Sequence, residues 1–445
     1  MHQIFIFRRD LRIHDNNTLN HLLQFPEPII PIFIFDPIQI NPKKNKYFSN
    51  NCVQFMCESL DDLSREISEN NGSLNYFNDE PVKVLKKIIK KMDICRIGFN
   101  MDYTNFSCER DEKIKKFCDD NNIQLITLED ITILPVGSIK TGSNTIYQKF
   151  TPFYNKAKKN PIPIPKTNKF HFANINLGKK INIHKFYKKN PNILHKGGRT
   201  NAISQFTKIP TDYIHTHDIP SIATTEMSAY NKFGCISIRE FCQHVKNQKA
   251  ILRQLYFRDF YYNVYYFNKK LFQKTSNPKF LHIKWDNPDN KLKLFYSGQT
   301  GFPIIDAGIK QMLKTGFMHN RVRMLVASFL SKDLLYDWKI GEHFFSTNLY
   351  DYDPIQNNAG WQTVAGTGVS ALEWFRVMNP WTQTKKFDPE CIYIKEWIPE
   401  LRKVPINQII NWDTEYNDKI YFKPIVNHNE RRDIMLKRYK ESIQK

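Results

Sequence analysis

Apolar positions along the chain follow two periods, and the change from one to the other divides the sequence. Over the first 130 residues, short unbroken apolar runs (HQIFIF, PIIPIFIFD, CRIGFN and IQLITLED) alternate with longer segments. In those segments, VQFMCESLDDLSREISEN and EPVKVLKKIIKKM, apolar residues recur every three or four positions. The runs read as short buried strands and the segments as amphipathic helices. Their alternation predicts an α/β doubly wound parallel sheet, with a ligand crevice beyond the strand ends. No GxGxxG or Walker A sequence follows any run, so nothing supports an ordinary dinucleotide or triphosphate loop.

From about residue 151 to 200 the periodicity gives way to Lys, Asn and Pro, with NPIPIPK at the centre. Such composition predicts an extended connector. After 200 only the helical period remains, in REFCQHV, RQLYFRDFYYNVYYF, PIIDAGIKQML and MHNRVRMLVASFLSKDLLYDW. Pro303 at a first turn and Gly316 past a helix end punctuate it. A chain of 445 residues is too long for one ordinary core. The expected organisation is an α/β domain over 1–130, a connector over 131–200 and an all-α domain over 201–445.

Charge sharpens this division. Residues 1–130 hold 17 Lys and Arg against 20 Asp and Glu, whereas the remaining 315 hold 48 against 24. A basic excess confined to the helical part points to a polyanionic partner, or to a merely basic solvated surface. The eight cysteines (52, 57, 95, 108, 118, 235, 242 and 391) form no CxxC pair and no zinc-ligand spacing, so no metal is expected. Free thiols, no secretory leader and no apolar run of 18 residues suit an intracellular protein that does not enter a membrane.

Several constellations can carry chemistry. With Met318–Leu335 read as one helix, Asn320, Arg323 and Met324 share a face and Arg321 lies at its edge. A buried Arg needs a carboxylate, and Asp351 and Asp353 follow in the next segment; a plain ion pair between helices fits equally. Thr224, Thr225, Glu226, Met227 and Ser228 precede a helical stretch near Ala229, as a phosphate cradle or a simple cap. All seven tryptophans lie beyond residue 284. Indoles can relay electrons or simply pack. RQLYFRDFYYNVYY interleaves Arg with aromatics, which suits stacking on unpaired bases or filling a core.

Together these segments resemble the photolyase/cryptochrome family, over nearly the whole chain. FRRDLRIHDNNTL is similar to the family's opening strand and loop, and NMDYTNFSCERDEKI to a later segment of its antenna domain. TTEMSAYNKFGCISIRE resembles the flavin motif T-S-x-L-S-P-Y-L-x-F-G-x-x-S. The long block SGQTGFPIIDAGIKQMLKTGFMHNRVRMLVASFLSKDLLYDW, then DYDPIQNNAGWQ and RVMNPWTQTKKFDPECIYIKEWIPEL, is close to the family signature. Among its branches the chain looks most like the class I cyclobutane pyrimidine dimer photolyases.

The resemblance implies an FAD cofactor and a damaged-DNA substrate. Thr224, Thr225, Glu226, Met227 and Ser228, with Tyr213 nearby, would hold the FAD phosphates. Arg323 would pair with Asp351 over the isoalloxazine, Asp353 would meet the ring's polar edge, and Asn357 would face flavin N5. Trp361, Trp338 and Trp285 match the photoreduction series, from flavin to surface. Gln254, Phe257, Arg258, Asn320, Arg321, Gln383 and Lys386 would meet DNA, with Asn320, Met324 and Gln254 at the flipped-out dimer. Excited reduced FAD would donate an electron to the dimer and recover it after the dimer splits.

Gln254, Phe257 and Thr363 depart from the Glu and two Trp residues of the cyclobutane-dimer enzymes. FRDF and TVAGTG also resemble DASH-type cryptochromes, which act mainly on single strands. A (6-4) or single-strand preference, or a signalling cryptochrome without repair, are therefore the alternatives. An antenna chromophore (folate, deazaflavin or a second flavin) is expected near the opening strand. Glu109 matches a folate-contacting position of some members. Arg8, Asp10 and Arg12 serve either that site or a loop-stabilising ion cluster. The expected state is a monomer.

Overall fold

The computed structural model describes residues 1–166, 168–177, 181–269, 274–369 and 373–444. Five parallel strands, β1 (His2–Phe7), β2 (Ile29–Ile34), β3 (Asn75–Phe77), β4 (Ile94–Asn100) and β5 (Gln124–Leu128), lie in the order β3-β2-β1-β4-β5. Side chains alternate across the pleat. Phe5, Phe7, Ile29 and Phe33 enter one core, while Ile4, Ile6, Ile30, Ile32 and Ile34 enter another. Both faces are covered, which explains why the strands read as unbroken apolar runs. The expected strands and helices are present. The short β3 and the helices Asn17–Leu22 and Asn105–Asp120 are additional to those read from periodicity.

The connector is more structured than its composition suggests. Phe150–Ala157 is a helix, and Ala173 donates to the Ile29 carbonyl at 2.8 Å, laying the connector on the sheet edge. Beyond it, elements are helical throughout the described residues. The helix expected over 318–335 is shorter and interrupted. It runs Asn320–Ser328, then widens into a π-turn over Phe329–Asp333 before Leu335 takes a left-handed φ of 58°. Lys332 and Asp333 are buried there, and the π-turn directs them inward at Trp374, Arg376 and His428.

The loop after β1 joins the two halves. Arg12 reaches Asp130 at 2.5 Å, and Arg239 bridges Asp15 and Asp130 at 2.7 Å each, all buried. Leu11 donates to the Phe233 carbonyl. Gly234, with φ of 61°, comes so close to Arg9 that a Cβ would lie 2.2 Å from its carbonyl oxygen. Arg8 pairs with Asp111, and Asp10 accepts from the Arg8 N–H and from Asn100. The opening cluster is therefore occupied in bracing the loop.

Candidate active site

Three residues singled out from sequence meet at the centre of the helical half. Arg323 binds Asp351 through both terminal nitrogens, at 3.2 and 2.9 Å, while its Nε donates to the Met318 carbonyl at 2.7 Å. Ser228 Oγ donates to the same carboxylate at 2.6 Å. Asp351 is buried and Arg323 partly open, so the guanidinium keeps an outward edge while its partner is desolvated. On the same helix Val322, Leu325 and Val326 face the core, Met324 is half-buried and Asn320 is exposed.

Asp353 begins the helix Pro354–Ala365, accepting the Ile355 and Gln356 N–H groups at 3.0 and 3.1 Å. Its other oxygen takes Arg9 and the Tyr262 hydroxyl. Burial opposes its ionisation, but Arg9, Arg258 and these hydrogen bonds outweigh that and hold the carboxyl down at about 2. One turn on, the Asn357 amide donates to the Glu342 carbonyl at 3.0 Å and to its carboxylate at 3.1 Å. Burial pushes Glu342 up to about 7. Tyr352 reaches the same carboxylate at 3.5 Å and stacks on Tyr47, which leads toward solvent.

The expected phosphate cradle is an uncapped helix start. Ser228–Phe233 begins at Met227 with no side-chain cap, so side chains leave its first N–H groups open. The Glu226 and Met227 side chains do not join the cradle: Glu226 is taken by His195 at 2.8 Å, and Met227 is buried. Their part can only be main-chain. Thr224 and Thr225 are half-buried beside the opening, and Tyr213 stacks on His217 with centroids 5.1 Å apart.

Trp361 and Trp338 are buried, and Trp285 is half-buried at the edge of the same core. Trp361 packs closely against the helix Trp338–Asn348. A Cβ on Gly341, one turn from Trp338, would meet its ring at 2.0 Å. Of the residues expected to meet DNA, Asn320, Gln254 and Lys386 are exposed and Gln383 is half-buried. Arg258 is half-buried, donates to the Ile131 carbonyl at 2.7 Å and lies over the Tyr262 ring. Arg321 is engaged as well, with Asp218 and over the Phe387 ring. Phe257 packs edge-on against Phe150 at 4.3 Å, and Thr363 bonds the Tyr261 hydroxyl at 2.8 Å. Beside them a small hollow is lined by Tyr261, Gln362, Thr363 and Val369, among others.

Comparison with known proteins decides the family. Residues 3–168 match the family described as DNA photolyase, and residues 251–441 the FAD binding domain of DNA photolyase. A deoxyribodipyrimidine photo-lyase from Alkalihalophilus pseudofirmus is 31% identical, covering 98% of this chain and 97% of its own. The chain belongs to the DNA photolyase family. The Escherichia coli enzyme of the same name is 29% identical over 96% of each chain. Among solved structures, an archaeal photolyase from Sulfolobus tokodaii with two FAD molecules superposes with a TM-score of 0.91 and 38% identity, covering 99% of this chain and all of its own. A class III photolyase from Agrobacterium tumefaciens gives 0.92 at 26% identity, covering 100% of this chain and 98% of its own.

FAD is the cofactor, and the residues present fit it. The open helix start suits a diphosphate, and the Arg323–Asp351 pair and Asn357 suit the polar edge of a flavin. The Tyr350 hydroxyl and His319 Nε2, flanking Asp351 and Asn320 in sequence, are buried without partners, as befits a polar ligand's site. Among the described residues no cluster of His, Cys, Asp or Glu is arranged to hold a metal, and no helix is long and apolar enough to cross a membrane. Sequence reasoning passed over Arg9, Glu342, Tyr262 and Tyr352. Arg9 and Tyr262 were visible only as one of four charges in FRRDLR and one of many aromatics in RDFYYN.

Proposed function

We propose that this protein repairs cyclobutane pyrimidine dimers in DNA under blue light, with FAD as the electron donor. The observation that carries the proposal lies on the Asn320–Ser328 helix. Its Arg323 binds Asp351, exposed Asn320 lies one turn before it, and half-buried Met324 follows it at the edge of the core. Cofactor-facing and substrate-facing groups thus share one helical face. When bound and reduced, FAD supplies a single electron to the lesion on excitation and accepts it back after the dimer splits.

The residues of this chain handle position and protons. Asn320 and Gln254 offer amide donors to thymine carbonyls, and Met324 packs against the lesion. Asn357 presents its carbonyl side toward the flavin edge, since both of its N–H groups are spent on Glu342. Glu342, near its midpoint at neutral pH, can hold or release a proton behind that amide. Trp361, Trp338 and Trp285 provide the route by which oxidised cofactor is recharged. Thr224 and Thr225, with the main chain of Glu226, Met227 and Ser228, hold the diphosphate, and Tyr213 closes that side. Asp353 and Arg258 act behind the flavin edge. Gln383, Lys386 and Arg321, the last already paired with Asp218, flank the DNA path.

The (6-4) reaction needs a proton donor at the lesion, and the chemistry here opposes it. His319, adjacent to Asn320, is pushed down to about 4 by burial and then by Arg323, so it is neutral at working pH. Phe257 and Thr363 are engaged with Phe150 and Tyr261, which weakens stacking on a duplex-held lesion and favours single strands. The α/β unit over 1–130 serves as an antenna domain joined through 131–200 to a catalytic domain over 201–445. A second flavin there is favoured by the two FAD molecules of the Sulfolobus tokodaii protein. The protein acts as a monomer inside the cell. Anaerobic illumination with cyclobutane and (6-4) oligonucleotides, single- and double-stranded, tests this reading. Cyclobutane dimers should disappear, fastest from single strands. Turnover of (6-4) lesions, or of neither, overturns it.

A further inference from the structure

Trp285 stands at the edge of two hydrophobic clusters. One is the large cluster that contains Trp338 and Trp361; the other is a small one built from Phe280, Ile283, Leu335, Met435 and Tyr439. Trp374, half-buried, packs on that small cluster too. Trp285 meets the Tyr439 ring edge-on, with centroids 6.3 Å apart. Tyr439 in turn lies nearly parallel to Trp374, again at 6.3 Å and with 12° between the planes. We propose that Trp374 is the outermost electron donor of the aromatic series, reached from Trp285 across the Tyr439 ring. This rests on reading Trp361, Trp338 and Trp285 as the recharging route.

The surroundings of each ring define its part. Asp286, next to Trp285, is held by Arg431 at 2.6 Å and Arg438 at 2.7 Å. The two guanidiniums that share this carboxylate place positive charge near Trp285, which works against a lasting indole cation there. The Tyr439 hydroxyl donates to the Ala365 carbonyl at 2.7 Å, and burial pushes its pKa far up. A carbonyl cannot take that proton, and a phenol that keeps its proton is hard to oxidise. Tyr439 therefore transmits the charge and does not keep it.

Trp374 can keep it. One electron moves from Trp374 to refill oxidised Trp285, and the Trp374 cation releases its indole proton to water, leaving a neutral radical. An external thiol then returns one electron and one proton, restoring Trp374, and two thiyl radicals couple to a disulfide. For each electron passed inward through Trp285, one thiol is oxidised to half a disulfide and one proton is released to water.

Flash photolysis and pulsed EPR of the FAD-loaded protein in its oxidised state test the assignment. Trp374→Phe should shorten the tryptophan-radical lifetime severalfold and reduce the spin–spin separation. Tyr439→Leu, which removes the bridge, should do the same, whereas Tyr439→Phe, which keeps the ring, should match the unaltered protein. Trp361→Phe should abolish photoreduction altogether. If Trp361→Phe blocks photoreduction but Trp374→Phe leaves lifetime and separation unchanged, the role of Trp374 is refuted and the inner route stands. Photoreduction that survives Trp361→Phe refutes the route, and this proposal with it. Should Tyr439→Leu fail to fold, Trp374→Phe alone decides the matter.

Discussion

Glu342 shows how one buried side chain links the site to the stability of the protein. In the fold its carboxyl keeps a proton up to about 7, because burial penalises the anion, whereas the ordinary value is 4.5. Between pH 4.5 and about 7 the native state therefore binds a proton that the unfolded chain has lost. Stability must fall as pH rises through that window. Glu342→Gln removes the titrating group and keeps an acceptor for Asn357. Urea unfolding at a series of pH values should show the wild-type decline reduced by about 2–3 kcal/mol in this variant. An unchanged pH slope would mean that Glu342 is ionised in the fold. His319 is displaced the other way, to about 4, so these two groups leave the site with a poised acid beside Asn357 and none beside Asn320.

At the scale of elements, the helix Pro354–Ala365 carries the most consequences, since it presents Asn357, Trp361 and Thr363 and starts at Asp353. Asp353→Ala uncaps it and leaves Arg9 without the nearest of its two carboxylates. Removing one partner of a buried pair costs about 3–5 kcal/mol. The urea midpoint should drop accordingly, and a loss below about 1 kcal/mol would show that solvent reaches Arg9. This helix was not read from periodicity, and spacing left Arg323 open to Asp351 or Asp353; only through the family resemblance was the Arg323–Asp351 union expected. Ser228 joining that carboxylate was not, since it depends on where a six-residue helix lands. The π-turn at Phe329–Asp333 was also hidden. Local periodicity continues through it, and only the burial of Lys332 and Asp333 against distant partners explains the change. The contacts of Arg258 with Ile131 and Tyr262 were hidden for the same reason, since the tertiary fold sets them.

Across the whole molecule, charge is divided as the fold is. The sheet half is close to neutral and the helical half strongly basic, so binding to undamaged DNA should weaken steeply with salt. Lys386 is exposed, whereas Arg321 is already paired with Asp218. Lys386→Ala should lower the log–log salt slope by about 0.9, and Arg321→Ala should lower it less. A salt-insensitive affinity would assign the basic surface to another partner. In the proposed reaction light, through reduced FAD, drives the repair of the lesion. Its most direct test binds a cyclobutane-dimer oligonucleotide to the fully reduced, FAD-loaded protein in the dark, then applies blue light and follows thymine absorption. Absorption should return only during illumination, in proportion to the light taken up by FAD. Equal recovery in the dark, or none in the light with FAD fully reduced, would contradict it.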